Sequence, residues 1–289
     1  MSALRLTAIV LTSALLPACP GDSSGRDAAT DRGVLLNDGP PGADAAKGDG
    51  SPTAPDAAVP TPDTSVSPGV NPPLAGSSKG SGGTAPASGV TLTTPGGVSY
   101  RVIVPGSYTA AVPSPTMIVY SGTEGGAVMT QNLLSVAAPY GLGDVIFAVL
   151  DGTTYFGDGQ AGAGVLDHVR SLYNVDNDRT YLLSESAGTS AGLKLGLDLR
   201  QSYFAAYWAN DVNASATPKK TAAQLGFAPW GNVGPGGQTA LATAIVSGMK
   251  AAGYRLPADA PYSGPGATTH GSTQQFLAAM SFFKGKSRK

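Results

Sequence analysis

The chain has 289 residues, of which 13% are charged, and a formal net charge of −1. A charge this close to neutral argues against a nucleic-acid partner. One cysteine excludes an internal disulfide and two histidines exclude a His-rich metal cluster, so we expect neither a metal ion nor a cofactor.

The N-terminus has the pattern of an export signal. A basic start at residues 1–5 precedes an apolar run at residues 6–16, which is too short to span a bilayer as a mature helix. The run ends in Leu16-Pro17-Ala18-Cys19, which resembles the lipobox of bacterial lipoprotein signal peptides, whose cysteine becomes lipidated. We expect a signal peptide over residues 1–18 and lipid attachment at Cys19; a plain secretory signal cleaved near Ala18 is the alternative.

Lipidation at Cys19 predicts a protein of the bacterial cell envelope. Several acyl chains hold a protein on a bilayer more firmly than one, so the lipid would be a lasting anchor. The outer membrane is the favoured location, and the domain would face the periplasm or the outside. The expected partners are therefore a membrane, reached through the N-terminal lipid, and a substrate.

Residues 19–89 have the composition of a disordered tether. They are rich in Asp, Ala, Pro, Gly, Ser and Thr and almost lack aromatic residues. Such a chain cannot bury enough apolar surface to offset the entropy lost on ordering. Its prolines favour extended conformations, so the tether should hold the domain at residues 90–289 away from the membrane.

The domain itself is predicted to alternate strands with helices. Two early strands, at residues 90–94 and 98–104, flank Pro95-Gly96-Gly97 as a hairpin would. Later strands are predicted at residues 116–120, 144–150, 179–183, 204–209 and, more weakly, 222–228, and helices at residues 128–138, 164–173, 187–199, 238–252 and 272–283. This alternation indicates an α/β domain with a mostly parallel sheet and helices on both faces.

A candidate nucleophile lies where the strand at residues 179–183 meets the helix at residues 187–199. The sequence there is Ser184-Glu185-Ser186-Ala187-Gly188, which matches G-x-S-x-G except that Ser184 replaces the first glycine. Strand, tight turn and helix form the context in which this pattern acts as a nucleophile elbow, and the helix N-terminus favours developing negative charge. Ser186 is the candidate nucleophile; a serine that merely caps the helix is the alternative.

The chain offers two histidines as the base that a serine nucleophile needs. His270 lies on a late loop just before the last predicted helix, as the chain order Ser, Asp, His requires. His168 lies inside a predicted helix ahead of the elbow, and we expect it to be a packing or surface residue. His270 is therefore the candidate base.

The sequence offers more than one candidate for the acid that would orient His270. The loop after the weak strand at residues 222–228 contains no carboxylate, although that loop is the usual position. We assign the acid to Asp211, which follows the strand at residues 204–209 next to the elbow strand. Asp259 and the neutral Asn232 are the alternatives.

An acyl-transfer site also needs donors for the oxyanion. One would be the backbone N–H of Ala187, directly after the nucleophile. The other would come from the glycine-rich loop after the strand at residues 116–120, where we favour the N–H of Thr123 over that of Glu124.

Residues 173–181 (YNVDNDRTY), followed by Ser186-Ala187-Gly188, resemble a segment of α/β-hydrolases of the polyhydroxybutyrate depolymerase and feruloyl esterase group. The resemblance covers residues 98–283 and implies an α/β-hydrolase fold with little or no lid. It also implies a serine esterase whose oxyanion loop follows the third strand, where Ser121-Gly122-Thr123 stands. The group usually has an aspartate in a G-x-x-D after the seventh strand, and Gly231-Asn232-Val233-Gly234 departs from this pattern.

These features together predict a serine carboxylic-ester hydrolase that forms an acyl-enzyme on Ser186. The candidate substrates are a polyester and a plant or glycan-linked ester, because an open site suits a polymer. Aromatic residues on predicted loops are candidates for a substrate platform: Tyr155, Phe156, Trp230 and Tyr262. The alternatives are a catalytically impaired α/β-hydrolase-fold lipoprotein that binds without turnover, and a serine peptidase on the same fold.

Overall fold

A computed structural model of the chain describes residues 74–218 and 238–288. The predicted signal peptide, Cys19 and the weak strand at residues 222–228 lie outside the described residues, as do Trp230 and Asn232. No helix in the described ranges is both long enough and apolar enough to cross a bilayer.

Within the described residues, six strands form one mixed sheet in the order β1-β2-β4-β3-β5-β6. The strands are β1 (Ala87–Thr93), β2 (Ser99–Val104), β3 (Ser114–Tyr120), β4 (Ile146–Leu150), β5 (Val175–Glu185) and β6 (Ala206–Asn210). β2 runs antiparallel to both β1 and β4, whereas β4, β3, β5 and β6 are mutually parallel. All residues of β3, β4 and β6 are buried, as expected of parallel strands covered on both faces.

Helices cover both faces of this sheet. They are α1 (Gly125–Val136), α2 (Gly159–Leu172), α3 (Thr189–Lys194), α4 (Gln238–Ala251) and α5 (Thr273–Phe283). Side chains of β3 alternate between the faces: Met117 belongs to an apolar cluster with α1 and α5, and Ile118 to one with α2, α3 and α4. The predicted layer arrangement is therefore confirmed.

The predicted boundaries of several elements differ from those observed, three of them most clearly. α2 begins at Gly159, five residues before its predicted start, because the Asp158 carboxylate accepts the N–H of Ala161 and caps the helix. β5 begins at Val175 rather than residue 179, before the apolar run that predicted it. The predicted helix at residues 187–199 is a short helix, α3, between a 3₁₀ turn (Ser186–Gly188) and a π-helical turn (Leu195–Leu199).

Residues 74–83, which we name the N-terminal strap, lie on the folded domain, whereas the sequence predicts a tether up to residue 89. The N–H of Ser78 donates to the carbonyl of Val175 at 2.8 Å, and the N–H of Gly76 donates to the Asp178 carboxylate at 2.9 Å. A Cβ at Gly80 would overlap the carbonyl of Tyr173. The strap is held by backbone hydrogen bonds and by glycine backbone packed directly against the domain. A segment of polar composition can therefore be ordered.

The C-terminal end binds the same region of the domain. Arg288 donates its N–H to the carbonyl of Asp178 at 3.0 Å, and its guanidinium contacts the Asp178 carboxylate at 3.1 Å. Both ends of the described domain therefore meet near the start of β5. Ser186 follows the other end of that strand.

Candidate active site

Ser186 occupies a strained turn between β5 and α3. Its φ is +43°, in the left-handed region that non-glycine residues rarely adopt. A Cβ at Gly188 would lie 2.6 Å from both the carbonyl oxygen of Ser121 and the Cβ of Tyr120, so this position needs a glycine. The turn leaves Ser186 half-buried at the carboxyl edge of the sheet. This is the geometry of a nucleophile elbow.

A glycine on the facing helix accommodates Ser184, the residue that departs from the G-x-S-x-G pattern. The Oγ of Ser184 lies 2.8 Å from the hydroxyl of Tyr207, and both side chains are buried. A Cβ at Gly192 would lie 2.6 Å from both the Cβ and the Oγ of Ser184. In the G-x-S-x-G pattern, a glycine at position 184 would let strand and helix approach closely. Here the glycine is on the helix side, at Gly192, and it allows the same close approach.

We expect Gly192→Ala to destabilise the protein by about 1–3 kcal/mol, because the new methyl would overpack this contact. Adding Ser184→Gly should restore part of the loss, since it removes two of the three nearest atoms, while the Tyr207 hydroxyl remains 2.9 Å away. Urea denaturation would measure both changes. Gly164→Ala on α2 is the matched control, because nothing lies within 4 Å of a Cβ there. Equal losses in the single and double variants would contradict the compensation.

The structure brings together the three residues predicted to form the catalytic group. His270 Nε2 lies 2.9 Å from Ser186 Oγ, which is hydrogen-bonding distance. Asp211 directly follows β6, and its side chain is fully buried. Its Oδ2 accepts the N–H of Gly271, next to His270, at 2.6 Å and lies 3.9 Å from His270 Nε2. The residues come from three separate loops at the carboxyl edge of the sheet.

The 3.9 Å between Asp211 Oδ2 and His270 Nε2 is too long for a direct hydrogen bond, which leaves charge as the means by which this carboxylate can influence the imidazole. The φ of Asp211 is +53°, a conformation that aspartate tolerates better than most residues. Burial raises the pKa of Asp211, while the Gly271 N–H and His270 oppose that rise. The other carboxylate oxygen, Oδ1, has no hydrogen-bond partner among the described residues.

Thr189 connects the elbow to the loop that contains Asp211. Its Oγ1 lies 2.8 Å from the carbonyl oxygen of Ser186 and 2.7 Å from Asn213 Oδ1. It also accepts the backbone N–H of Asn213 at 3.1 Å. These contacts fix the spacing between the nucleophile and the acid loop. The sequence analysis missed them, because a threonine and an asparagine 24 residues apart give no local signal.

The predicted oxyanion loop lies against the nucleophile. A Cβ at Gly122 would lie 3.3 Å from the Cβ of Ser186. Thr123 follows at an exposed position, and its N–H forms no hydrogen bond within residues 74–218 and 238–288. Ala187 is buried directly after Ser186.

Glu124 and Glu185 are the only glutamates in the sequence, and both lie beside Gly122. Glu124 Oε1 accepts the N–H of Gly122 at 2.9 Å. Glu185 is buried, and its Oε2 accepts from the side-chain amide of Asn210 at 3.2 Å. Sequence reasoning assigned neither side chain a role. The rarity of glutamate in this chain, with both residues next to predicted site turns, was the available signal.

The burial of Glu185 has a strong effect on its titration. Burial raises the pKa of Glu185 from 4.5 to about 8; the charges of Glu124 and Asp211 add to this, and the Asn210 hydrogen bond opposes it. Burial also raises the pKa of Glu124, against its hydrogen bond from Gly122. Near neutral pH, Glu185, the residue directly before Ser186, is therefore largely protonated.

We expect Glu185→Gln to stabilise the protein at alkaline pH. The unfolded glutamate loses its proton near 4.5 and the folded one near 8, so the folded state binds more protons between these values. The free energy of unfolding therefore falls as pH rises through this window. A glutamine side chain cannot ionise, so the variant should exceed the wild type by about 4–5 kcal/mol at about pH 8.5 and by less than about 1 kcal/mol at about pH 5.

Chemical denaturation at the two pH values would measure this difference. The control is Asp259→Asn, because Asp259 is exposed. Its replacement should change stability by less than about 0.5 kcal/mol at either pH. A stabilisation by Glu185→Gln that is equal at both pH values would contradict the expected titration.

Two rival residues from the sequence analysis lie outside the group. His168 Nδ1 is 3.1 Å from the hydroxyl of Tyr100 on β2, which confirms the packing interpretation. Asp259 is exposed, and its carboxylate forms no hydrogen bond or ion pair with any part of the chain that the structure describes.

The predicted aromatic platform is largely packed. The Tyr155 hydroxyl accepts the N–H of Ser99 at 2.8 Å, and the Tyr262 ring lies 5.3 Å from that of Trp208. Phe156 differs, because it is 63% exposed on the loop between β4 and α2.

Comparisons with known proteins bear on the fold. No protein-family model and no curated protein matches the sequence. Among solved structures, a thermostable esterase has a TM-score of 0.50 at 14% identity, over 69% of this chain and 63% of that one, so this chain spans less than two thirds of its length. A ferulic acid esterase from Anaeromyces mucronatus gives 0.49 at 12% identity, over 67% and 87% of the two chains.

A poly(3-hydroxybutyrate) depolymerase from Bordetella parapertussis gives a TM-score of 0.45 at 17% identity, over 66% of this chain and 85% of that one. At these identities the likeness concerns the fold alone. The likeness to the thermostable esterase, together with the mixed sheet covered by helices on both faces, supports one fold. The chain has the α/β-hydrolase fold.

Proposed function

Since an α/β-hydrolase fold here holds a strained serine against a histidine, we propose that this protein is a serine hydrolase of carboxylic esters. The observation that supports this most directly is the 2.9 Å contact between Ser186 Oγ and His270 Nε2 at an elbow with φ of +43°. A serine hydroxyl is a weak nucleophile until a neighbouring base accepts its proton. The contact supplies that base.

In the proposed acylation, Ser186 Oγ attacks the ester carbonyl carbon as its proton passes to His270 Nε2. The carbonyl electron pair moves to the oxygen, which receives hydrogen bonds from the N–H groups of Thr123 and Ala187. The carboxylate of Asp211 stabilises the imidazolium; two unit charges about 4 Å apart gain between about 1 and about 4 kcal/mol, depending on solvent access. The ester C–O bond then breaks, and His270 gives its proton to the leaving alcohol.

Deacylation repeats these steps with water as the nucleophile. His270 accepts a proton from the water as its oxygen attacks the acyl-enzyme carbonyl carbon, and the same donors hold the second oxyanion. The bond to Ser186 Oγ breaks, His270 returns the proton to that oxygen, and the carboxylic acid leaves.

An accessible site supports a bulky ester as the substrate. His270 is 47% exposed, and Ser186 is half-buried at an edge of the sheet. The exposed Phe156 is close by, because the N–H of the adjacent Gly157 donates to Ser190 Oγ at 3.0 Å, one turn beyond Ser186. We therefore include a polyester or a plant or glycan-linked ester in the proposal, with Phe156 as an apolar contact.

The proposal also includes a lipid anchor on Cys19 and a location in the bacterial cell envelope, at the outer membrane. The support for this is the sequence: the only cysteine follows an apolar run with a basic start.

A fluorophosphonate probe tests the proposed activity. The protein should form one covalent adduct, which peptide mass spectrometry should locate on Ser186, and it should hydrolyse p-nitrophenyl butyrate. Peptide p-nitroanilides should not be cleaved. If a folded protein gave no adduct and no hydrolysis, the esterase proposal would be wrong, and a binding protein without turnover would be the better interpretation.

A further inference from the structure

The turn between β3 and α1 is closed by the side chain of Glu124. Its Oε1 accepts the N–H of Gly122 at 2.9 Å, and the carbonyl of Gly122 accepts the N–H of Gly125 at 3.3 Å. Glu124 stands at the N-cap of α1, yet its side chain makes no capping bond to the helix. The carboxylate therefore binds the preceding turn and not the helix end.

The flanks of this turn are held by other contacts. On one side, Ser121 donates its N–H to the carbonyl of Leu150 at 3.0 Å, and its Oγ accepts the N–H of Gly152 at 3.0 Å. On the other, the N–H of Gly126 donates to the Asp151 carboxylate at 3.1 Å. Between these anchors, Glu124 supplies the one side-chain contact to the Gly122 N–H among the described residues.

Gly122 lies next to Ser186, the proposed nucleophile. A Cβ at Gly122 would lie 2.5 Å from Glu124 Oε2 and 3.3 Å from both Glu185 Cγ and Ser186 Cβ. The N–H of Gly122 donates to Glu124, and its carbonyl accepts both the N–H of Gly125 at 3.3 Å and the hydroxyl of Ser121 at 3.2 Å. The next N–H along the chain, that of Thr123, is the donor that the turn leaves for a ligand.

We propose that Glu124 is a positioning residue for ester hydrolysis: by binding the Gly122 N–H, which belongs to the Ser121–Gly122 peptide, it fixes Gly122 so that the N–H of the next residue, Thr123, is directed at the developing oxyanion. This inference rests on the proposed esterase function. The role requires a hydrogen-bond acceptor at the end of a side chain as long as that of glutamate, so that it can meet the Gly122 N–H. It does not require a negative charge. A preorganised donor gains its effect in the transition state, where the negative charge develops.

Glu124 is an exposed residue, and its surroundings shift the pKa of its carboxyl in both directions. Burial raises the pKa of Glu124, and the nearby charge of Asp151 adds to the rise. The hydrogen bond from Gly122 and the charge of His270 oppose it. A full negative charge here would repel an oxyanion close to Ser186, whereas a neutral acceptor would hold the same turn without that cost.

Three substitutions separate the acceptor from the charge. Glu124→Gln keeps both the reach and an acceptor oxygen, Glu124→Asp keeps the charge but shortens the reach, and Glu124→Ala removes the acceptor. We expect Glu124→Gln to retain kcat within about threefold. The Asp and Ala variants should each lose about 10–100-fold in kcat, with KM changed by less than about threefold, because a misdirected donor weakens transition-state binding.

The same variants should differ in their reaction with a fluorophosphonate, whose phosphonyl oxygen would occupy the oxyanion position. Labelling of Glu124→Ala should slow by about 10-fold or more, and labelling of Glu124→Gln should be close to wild type. Asn132→Ala, at an exposed position on α1, is the control and should match the wild type in both measurements. Thermal unfolding of every variant would show whether the fold is retained.

Three outcomes would overturn the inference. They are wild-type kcat in a folded Glu124→Ala, an effect confined to KM, and a loss in Glu124→Gln as large as that in Glu124→Ala. The wild-type control separates this inference from the proposed function. If the wild type neither labels nor hydrolyses esters, both proposals fail; if it does both and Glu124→Ala is unaffected, only the role of Glu124 is wrong.

Discussion

Ser186→Ala is expected to lower kcat for a p-nitrophenyl ester by about 10⁵–10⁶-fold and to abolish fluorophosphonate labelling. The substitution removes the oxygen that forms the acyl-enzyme, and it leaves His270 without the proton donor that lies 2.9 Å away. The oxyanion donors and the binding surface would remain, so a residual rate about 10³–10⁴-fold above that in water is expected. Steady-state kinetics at high enzyme concentration would measure that residual rate.

Ser190→Ala is the matched control for this substitution. Ser190 lies one turn beyond Ser186, and its Oγ accepts the N–H of Gly157 rather than contacting His270. We expect its kcat to stay within about 10-fold of wild type, with labelling retained, because no group that forms or breaks a bond is lost. If Ser186→Ala kept more than a tenth of the wild-type rate, Ser186 would not be the nucleophile.

Asp211→Asn is expected to lower kcat by about 10³-fold or more. An asparagine oxygen can still accept the N–H of Gly271, so the loop should keep its shape while the charge facing His270 disappears. The imidazolium that forms during acylation would then lack its counter-charge. The Asp211 to His270 distance of 3.9 Å leaves no direct hydrogen bond to lose, so we expect a loss below the roughly 10⁴-fold seen where such a bond exists.

The two alternative partners for His270, Asp259 and the neutral Asn232, provide the controls for Asp211. Asp259→Asn should leave kcat within about twofold, because Asp259 is exposed and makes no contact with His270 among the described residues. Asn232→Ala completes the set. A larger loss in either control than in Asp211→Asn would move the acid assignment to that residue.

The sequence predicts the architecture well where apolar pattern decides it. The apolar runs that became β3 and β4 are buried on both faces, and the alternation with helices follows from covering such a sheet. The N-terminal strap was missed because glycines and backbone hydrogen bonds hold it. Neither kind of contact changes the pattern of apolar residues from which the elements were predicted. The early start of α2 had a readable signal in Asp158, a common capping residue.

The site residues that could be predicted are those marked by a short sequence pattern or by a rare residue type. Those that could not be predicted depend on contacts that form only when the chain folds. Ser186 stands in a short pattern, and a chain with two histidines leaves few choices for the base. Asp211 could be inferred because neighbouring parallel strands end at the same edge of the sheet. The pairing of Glu124 with Gly122 depends on how a turn folds back on itself, and sequence spacing does not reveal that. The oxyanion roles of Thr123 and Ala187 stay predictions.

The N-terminal strap also determines how force would travel through the molecule. The strap is hydrogen-bonded to the start of β5, and Ser186 follows the end of β5. The neighbouring strand β3 has seven residues, which span about 20 Å. If the chain before Leu74 is held and a polymer is covalently attached to Ser186, part of the tension would reach β5 through the hydrogen bonds of the strap with Val175 and Asp178. That strand is hydrogen-bonded to β3 on one side and β6 on the other, so both ladders would have to slip together before the strand could move.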